Sequence, residues 1–217
     1  MFDILIQYHQ IFLKGFLTTI KLLALIVLIG VPFGIMFGVW GGRYSKLGFW
    51  FVNSLKFLTK VIPVLVLLFW LHYPLQAILD VVIDPFWTTV VALGFINFIT
   101  VAHIIQSELK LLPISYREVG MTLGMSKSQI VRYIELPILM KRALPNIILN
   151  QASMLEYTLF ASLISVPELF RVSQSINSLI YEPVKIYSLL VLFFLLILAP
   201  VHIFITIYRK KNNIQYD

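Results

Sequence analysis

Residues 118–137 read EVGMTLGMSKSQIVRYIELP, a polar, turn-punctuated stretch set between long hydrophobic segments. It predicts two short helices standing outside a bilayer. Just upstream, Ser115-Tyr116-Arg117-Glu118 has the S-x-x-E pattern of a capping box, in which the serine accepts an early backbone N–H and the glutamate reaches back to the cap. Gly124 offers the left-handed position that ends a first helix. Ser126-Lys127-Ser128-Gln129 starts a second by similar chemistry, and Pro137 limits its continuation. Pro145 then suits the first turn of the following span. Val119, Met121, Leu123, Met125, Ile130 and Ile134 give this unit apolar contacts, while Arg117, Lys127 and Arg132 give it charge. By physics alone, an interfacial amphipathic segment and a protein-docking knob both fit.

The rest of the chain is written for lipid. Of 217 residues, 59% are hydrophobic and 12% charged, with net charge +7 and mean hydropathy +0.91. A soluble domain carries about twice that charged fraction. Apolar runs near 16–40, 55–74, 86–107, 144–166 and 186–208 approach the length that crosses a bilayer, predicting an all-α integral membrane protein with five spans. The first run is too long for a processed leader and is expected to be retained. Pro32, Pro63 and Pro200 lie in or near spans, where a kink is tolerated if neighbours satisfy the freed backbone groups. Glycines at 30, 34, 38, 41 and 42 form a small-residue stripe suited to close helix packing. With the N-terminus outside, every Lys and Arg except Lys14, Lys21, Arg171 and Lys185 falls on the cytoplasmic side, which predicts an N-out, C-in topology. The cations flank spans instead of covering a soluble face, which argues against nucleic acid. With no cysteine, thiolate metal sites and cysteine nucleophiles are excluded. His9, His72, His103 and His202 make no H-x-x-x-H pair, and no G-x-x-x-x-G-K-[ST] phosphate loop occurs, so neither metal nor nucleotide is expected on this chain.

Glu118-Val119-Gly120, three residues, Gly124, nine residues and then Ile134-Glu135-Leu136-Pro137 resembles the EAA motif, E-A-A-x3-G-x9-I-x-L-P, of bacterial ABC-importer permeases. The alanines are replaced by Val119 and Gly120, while the spacing holds. The resemblance covers roughly residues 12–210 as one permease domain, with 115–137 as its cytoplasmic coupling loop, and is closest to the polar-amino-acid branch. Lys60-Val61-Ile62-Pro63 stands where that branch carries Arg-Gly-Thr-Pro, keeping the cation and the proline. His103 follows Ala102 where an Ala-Glu element is common, and Pro113 to Glu118 keeps the spacing of P-x-G-Q-x-E. Leu136-Pro137 and Leu144-Pro145 resemble the following L-P segments, and Glu156-Tyr157-Thr158-Leu159-Phe160 falls on Lys-Asp-Thr-Ser-Leu.

The resemblance implies a MetI-like fold in which the loop enters a cleft on an ATP-binding subunit. Glu118 and Gly124 would form the heart of that contact, supported by Arg117, Val119, Gly120, Leu123, Met125, Ile134, Leu136 and Pro137. It also implies two cytoplasmic ATP-binding subunits holding ATP and Mg2+, a second identical or homologous permease, an extracytoplasmic solute-binding protein, and residence among the lipids of the bacterial inner membrane. The chain itself would be no enzyme and bind no cofactor.

Glu156 is the leading substrate-side residue, because a carboxylate in the fourth span needs a partner or water. Solute contact, a standing ion pair or protonation, and a shifted span boundary all remain open for it. Thr158 either faces the path or bonds back to its own helix. Asn97, Thr100 and His103, spaced by three residues, share one side of the third span. Lys60 either orders the inner mouth or meets phospholipid, and Pro63 lies beside it. The expected cargo is a polar or charged amino acid, with another small solute, such as a peptide-like compound or osmolyte, or a noncatalytic scaffold as rivals.

Overall fold

In the computed structural model, which describes residues 2–212, the chain is helical almost throughout. Helix α1, Phe2–Arg43, is kinked at Tyr8, which leaves helical dihedrals, and continues through Pro32. At about 1.5 Å per residue it is about 60 Å long, twice a hydrocarbon core. Lys46–Val61 (α2), Val64–His72 (α3) and Pro74–Leu79 (α4) follow, then Pro85–Lys110 (α5). Ser115–Thr122 (α6) and Lys127–Ile130 (α7) lead through a wide π-helical turn, Val131–Glu135, into Leu136–Tyr157 (α8). A 3-10 segment, Thr158–Ile164, precedes Leu169–Ile180 (α9) and Pro183–Lys211 (α10).

The glycine stripe organises the bundle. A Cβ added at Gly30 would lie 2.5 Å from Asn97, at Gly34 2.6 Å from Val101, and at Gly38 2.6 Å from Ile105. At Gly42 it would lie 2.7 Å from Leu109. The matched steps of four on both helices make α1 and α5 parallel neighbours in backbone contact. Such closeness is the use of small residues where lipid offers no hydrophobic drive. α8 runs antiparallel to α5, since Asn97 meets Asn150 and Gln151 while Glu108 meets Arg142 and Asn146. Arg209 at the end of α10 donates to Asn146, closing the same end of the bundle. That end gathers Arg43, Lys46, Lys110, Arg142 and Arg209 and is termed the basic end below.

α9 packs its apolar face on α1 and α10 outside the spanning segments. Its cap is Glu168, wholly buried, whose two carboxylate oxygens accept the amides of Phe170 at 2.8 Å and Arg171 at 2.7 Å. Thr19 of α1 accepts the Leu169 amide at 3.1 Å, tying the helix start to the bundle. Burial pushes the Glu168 carboxyl up to about 7, against the opposing pull of those two amides.

The five-span expectation holds where a bent pair counts as one span, while some local boundaries need correction. Among the described residues, four helices are long and apolar enough to cross a bilayer, and a fifth span exists only if a bent pair is counted as one. That pair, Lys46–Val61 with Val64–Leu79, turns by 95°. The run at 55–74 is therefore not one straight span. Ser45, extended and accepting the Gly48 amide, starts α2 well before residue 55, and Pro63, expected to allow a kink within the span, divides it into separate helices. Lys56 and Lys60 sit about 15 and 21 Å along α2 from Lys46. Pro145 lies inside α8, because that helix begins at Leu136.

Candidate functional site: the 115–137 loop and the polar groups of the bundle

The first helix of the loop ends as its glycine predicts. Gly124 has φ 73°, the Met125 amide donates to Gly120 O at 3.0 Å, and the Gly124 amide donates to Met121 O at 3.0 Å. These paired bonds are a Schellman motif. The cap at Ser126 also forms in full: Ser126 Oγ accepts the Gln129 amide and Gln129 Oε1 accepts the Ser126 amide. The box expected at Ser115–Glu118 does not form. Ile114 is already helical and its carbonyl accepts the amides of Arg117 and Glu118, so Ser115 sits one residue inside the helix. Glu118 is left exposed.

Pro137 does not end the second helix either. The Leu136 amide reaches back five residues to Val131 O, and the wider turn accommodates the proline ring while the helical path continues into α8. The outcome is mechanical continuity, with Lys127–Ile164 running as one span-length rod. α6 folds against this rod at Gly120, where an added Cβ would lie 2.6 Å from Ile130. Val119 and Leu123 project into the open at 55% and 72% exposure. Met125, Ile134 and Leu136 are half-buried, Pro137 is exposed, and Arg117 is half-buried.

The structure adds a residue that sequence reasoning passed over. Glu135, in the variable place of the I-x-L-P element, is buried and accepts from Arg43 Nε at 2.6 Å and Arg117 Nη2 at 3.5 Å. Arg43 also donates to Leu109 O at 2.9 Å. One carboxylate thus ties the start of the rod to the end of α1 and to α6, and through Arg43 to α5. A second missed group lies nearby, where Glu108 accepts from Arg142 at 3.3 Å and Asn146 at 3.1 Å. A carboxylate near the end of the apolar helix α5 is the sequence signal that could have found Glu108.

The proposed pathway residues separate into two kinds. Asn97 is wholly buried, donating to Ile26 O and Gln151 and accepting from Asn150 and Gln151, so its amide clamps α1, α5 and α8 together. Thr158 is buried and donates to Leu155 O at 2.6 Å. Thr100 and His103 are half-buried, and Lys56 Nζ donates to Thr100 at 3.3 Å. Lys60 and Pro63 are exposed. Glu156 is exposed at the last turn of α8, where the helix tightens to 3-10 geometry, and makes no ion pair with a described residue. Among the described residues no cluster of three or more metal-ligating side chains occurs.

This architecture has close relatives. The glutamine transport system permease protein GlnP of Escherichia coli (strain K12) is 28% identical over 182 residues, covering 82% of this chain and 83% of that protein. A crystal structure of an amino acid ABC transporter with histidines superposes with TM-score 0.85 at 23% identity, covering 95% of this chain and 96% of the other. The inward-facing MetNI methionine ABC transporter gives TM-score 0.68 at 18% identity over 93% of this chain and 98% of the other, so the fold is MetI-like. Residues 30–213 match the family model described as binding-protein-dependent transport system inner membrane component, and the chain belongs to that family.

Proposed function

We propose that this chain is the permease subunit of an ATP-driven importer and forms half of a route for polar or charged amino acids delivered by an extracytoplasmic binding protein. The observation that carries this reading is the 115–137 loop. It presents Glu118, Val119 and Leu123 outward on a capped unit continuous with a spanning rod. The cargo class rests on the amino-acid relatives named above and on the polar groups at depth in the bundle. Two ATP-binding subunits, holding ATP and Mg2+, would seat the loops of two permeases at the basic end. In this reading that end faces the bacterial cytoplasm, in keeping with the distribution of lysine and arginine.

Closure of the ATP-loaded motor would push the loop, and the rod would carry that displacement to the far side of the bilayer. Hydrolysis would return it and open the route inward. Reciprocity then requires that solute and binding protein at the outer side alter the motor's nucleotide affinity. Glu118 and Gly124 are the centre of the motor contact in this reading. Thr100 and His103, with Lys56 and Lys60, line the route, and Glu156 meets the solute at its outer part. Asn97 and Thr158 hold the wall, since their polar atoms are spent within the bundle.

The test is uptake and stimulated ATP hydrolysis in liposomes, using the chain co-purified with its partners against acidic, neutral-polar and basic amino acids. Selective ATP-dependent uptake that shifts in preference with Glu156→Gln is the expected result. An intact, hydrolysing complex that moves none of the panel would overturn the amino-acid reading, and an unchanged preference with lowered stability would remove Glu156 from the route.

A further inference from the structure

We infer that the elbow between α1 and α2 is a binding site for the phosphate headgroup of an anionic phospholipid. A cavity of about 430 Å³ opens there, lined by the Gly41–Lys46 turn, Phe49, Trp50, Gln106, Lys110 and Lys127. No carboxylate lines it. Arg43 is committed to Glu135, so the uncompensated charge comes from Lys46, Lys110 and Lys127, none of which makes an ion pair with a described residue. Two of these ammonium groups are held to aromatic rings beside the cavity, Lys110 at 4.3 Å from the Phe49 centroid and Lys127 at 5.1 Å from that of Tyr44. Such pairing fixes their position without neutralising them.

Two independent features ask for an anion with acceptor oxygens. Gln106 is 2% exposed, lines the cavity, and its Nε2 is buried without an acceptor. A buried amide donor left so is costly until it gains an acceptor. The start of α2, a 16-residue helix, forms another wall through Ser45 and Lys46 and brings the positive end of its dipole there, although Ser45 already takes the Gly48 amide. The choice of a lipid over a free anion comes from the surroundings. Leu47, Trp50 and Phe51 next to the cavity are 79%, 69% and 51% exposed, an apolar strip along which acyl chains can lie. Trp40 and Tyr44, also exposed, suit the interfacial depth. A free phosphate would use the cations and leave that strip unexplained. The cavity also joins the α1–α2 elbow to Lys127 at the head of the rod, so an occupant would bridge the bundle and the loop.

The full-length chain, purified in detergent with its copurifying subunits, is titrated with phosphatidylglycerol, phosphatidylcholine or inorganic phosphate and examined by native mass spectrometry. This readout is independent of transport, so the site can fail while the importer reading stands, and the reverse. Saturable phosphatidylglycerol binding is expected, weakened about thirtyfold in Lys46→Gln/Lys110→Gln and about fivefold in each single variant, on the scale of one juxtamembrane lysine against an anionic lipid. The Lys46→Arg/Lys110→Arg protein should bind as the parent does. Equal retention by parent and glutamine variants, or equal retention of phosphatidylcholine, overturns the inference. Displacement of the lipid by inorganic phosphate in the parent overturns the lipid source and leaves a free-anion site.

Discussion

Glu135→Gln should weaken this protein more than any exposed charge change at the same end, and the structure sets the size. The Arg43–Glu135 side chains are 12% and 4% exposed, so their ion pair is buried, whereas Arg117 is 43% exposed. Removing one partner of a buried pair costs about 3–5 kcal/mol, because the other charge stays in low dielectric uncompensated. Arg43 keeps the carbonyls of Leu109 and Gly42, which places the expected loss near the lower end, about 3 kcal/mol. Arg117→Gln should cost under about 1 kcal/mol, as a half-exposed partner does. Arg43→Gln/Glu135→Gln leaves no buried charge from the pair, so its loss should fall well short of the sum, giving a coupling energy of about 2–3 kcal/mol. In a melting assay of the purified complex, about 3 kcal/mol corresponds to a fall of roughly 6–12 °C for a chain of this size. Uptake per ATP hydrolysed supplies the functional arm. If the pair carries motion from the rod to α1, the double variant should melt near the single variants, well above their summed loss, and still lack coupled uptake. Additive melting losses would refute the energetic argument, and full recovery of coupled uptake would reduce the pair to a staple.

Three further outcomes follow from named positions. Gly124→Val should cost about 1–2 kcal/mol locally through the left-handed backbone alone, since an added Cβ there meets nothing within 4 Å. Coupled uptake should fall while Gly124→Asn retains most of it, and equal activity of the two would remove the turn from the mechanism. Gly34→Ala, which puts a Cβ 2.6 Å from Val101, should destabilise the α1–α5 seam by about 1–3 kcal/mol, whereas Gly94→Ala, with first contacts at 3.8 Å, should be neutral in the same melting measurement. Glu168 supplies a pH dependence. Its folded carboxyl titrates at about 7, above the ordinary 4.5, so the folded chain holds the extra proton between those values. Stability from this group is therefore complete below about pH 4.5 and lost as pH rises through about 7. Amide exchange of α9 should quicken from pH 5 to 8 after correction for intrinsic rates, and Glu168→Gln should flatten that change.

Much of this was legible in the sequence, and the errors have identifiable causes. The glycine stripe, the Gly124 stop and the Ser126 cap were readable because each depends on backbone geometry that local residues dictate. The Ser115 box failed because capping competes with one more helical residue, and Ile114 supplied it. Pro137 misled because a proline stops a regular α-helix but not one that widens by a residue. The break at Pro63 was marked by its residue, yet its 95° angle depends on what α3 and α4 pack against, which periodicity does not encode. Glu135 was hidden differently, since its partner Arg43 lies 92 residues away and one sequence does not reveal such a pairing.

That hidden pair alters how the loop can act. A capped knob on a flexible tether would bind a motor without moving a membrane helix. Here the knob continues into Lys127–Ile164 through a turn with one extra residue, so axial or rotational displacement passes directly to α8. Glu135 sits at that turn and grips Arg43, while the glycine seam makes α1 and α5 a closely joined pair. Displacing the loop must therefore either drag α1 and α5 along with α8 or break a buried ion pair. Breaking it would cost about 3 kcal/mol or more, a large share of the stability of an ordinary domain. Movement of α1, α5 and α8 as a unit against α2–α4 and the second permease is the cheaper course. Among the described residues, the side-chain hydrogen bonds between α2–α4 and that unit are Asn53–Gln106 at 3.2 Å, Lys56–Thr100 at 3.3 Å, His72–Thr88 at 3.3 Å and Gln76–Thr88 at 3.1 Å. If the unit moves so, cross-linking α2 to α5 should stop uptake while cross-linking α1 to α5 leaves it intact. Equal inhibition by both links would refute the rigid unit.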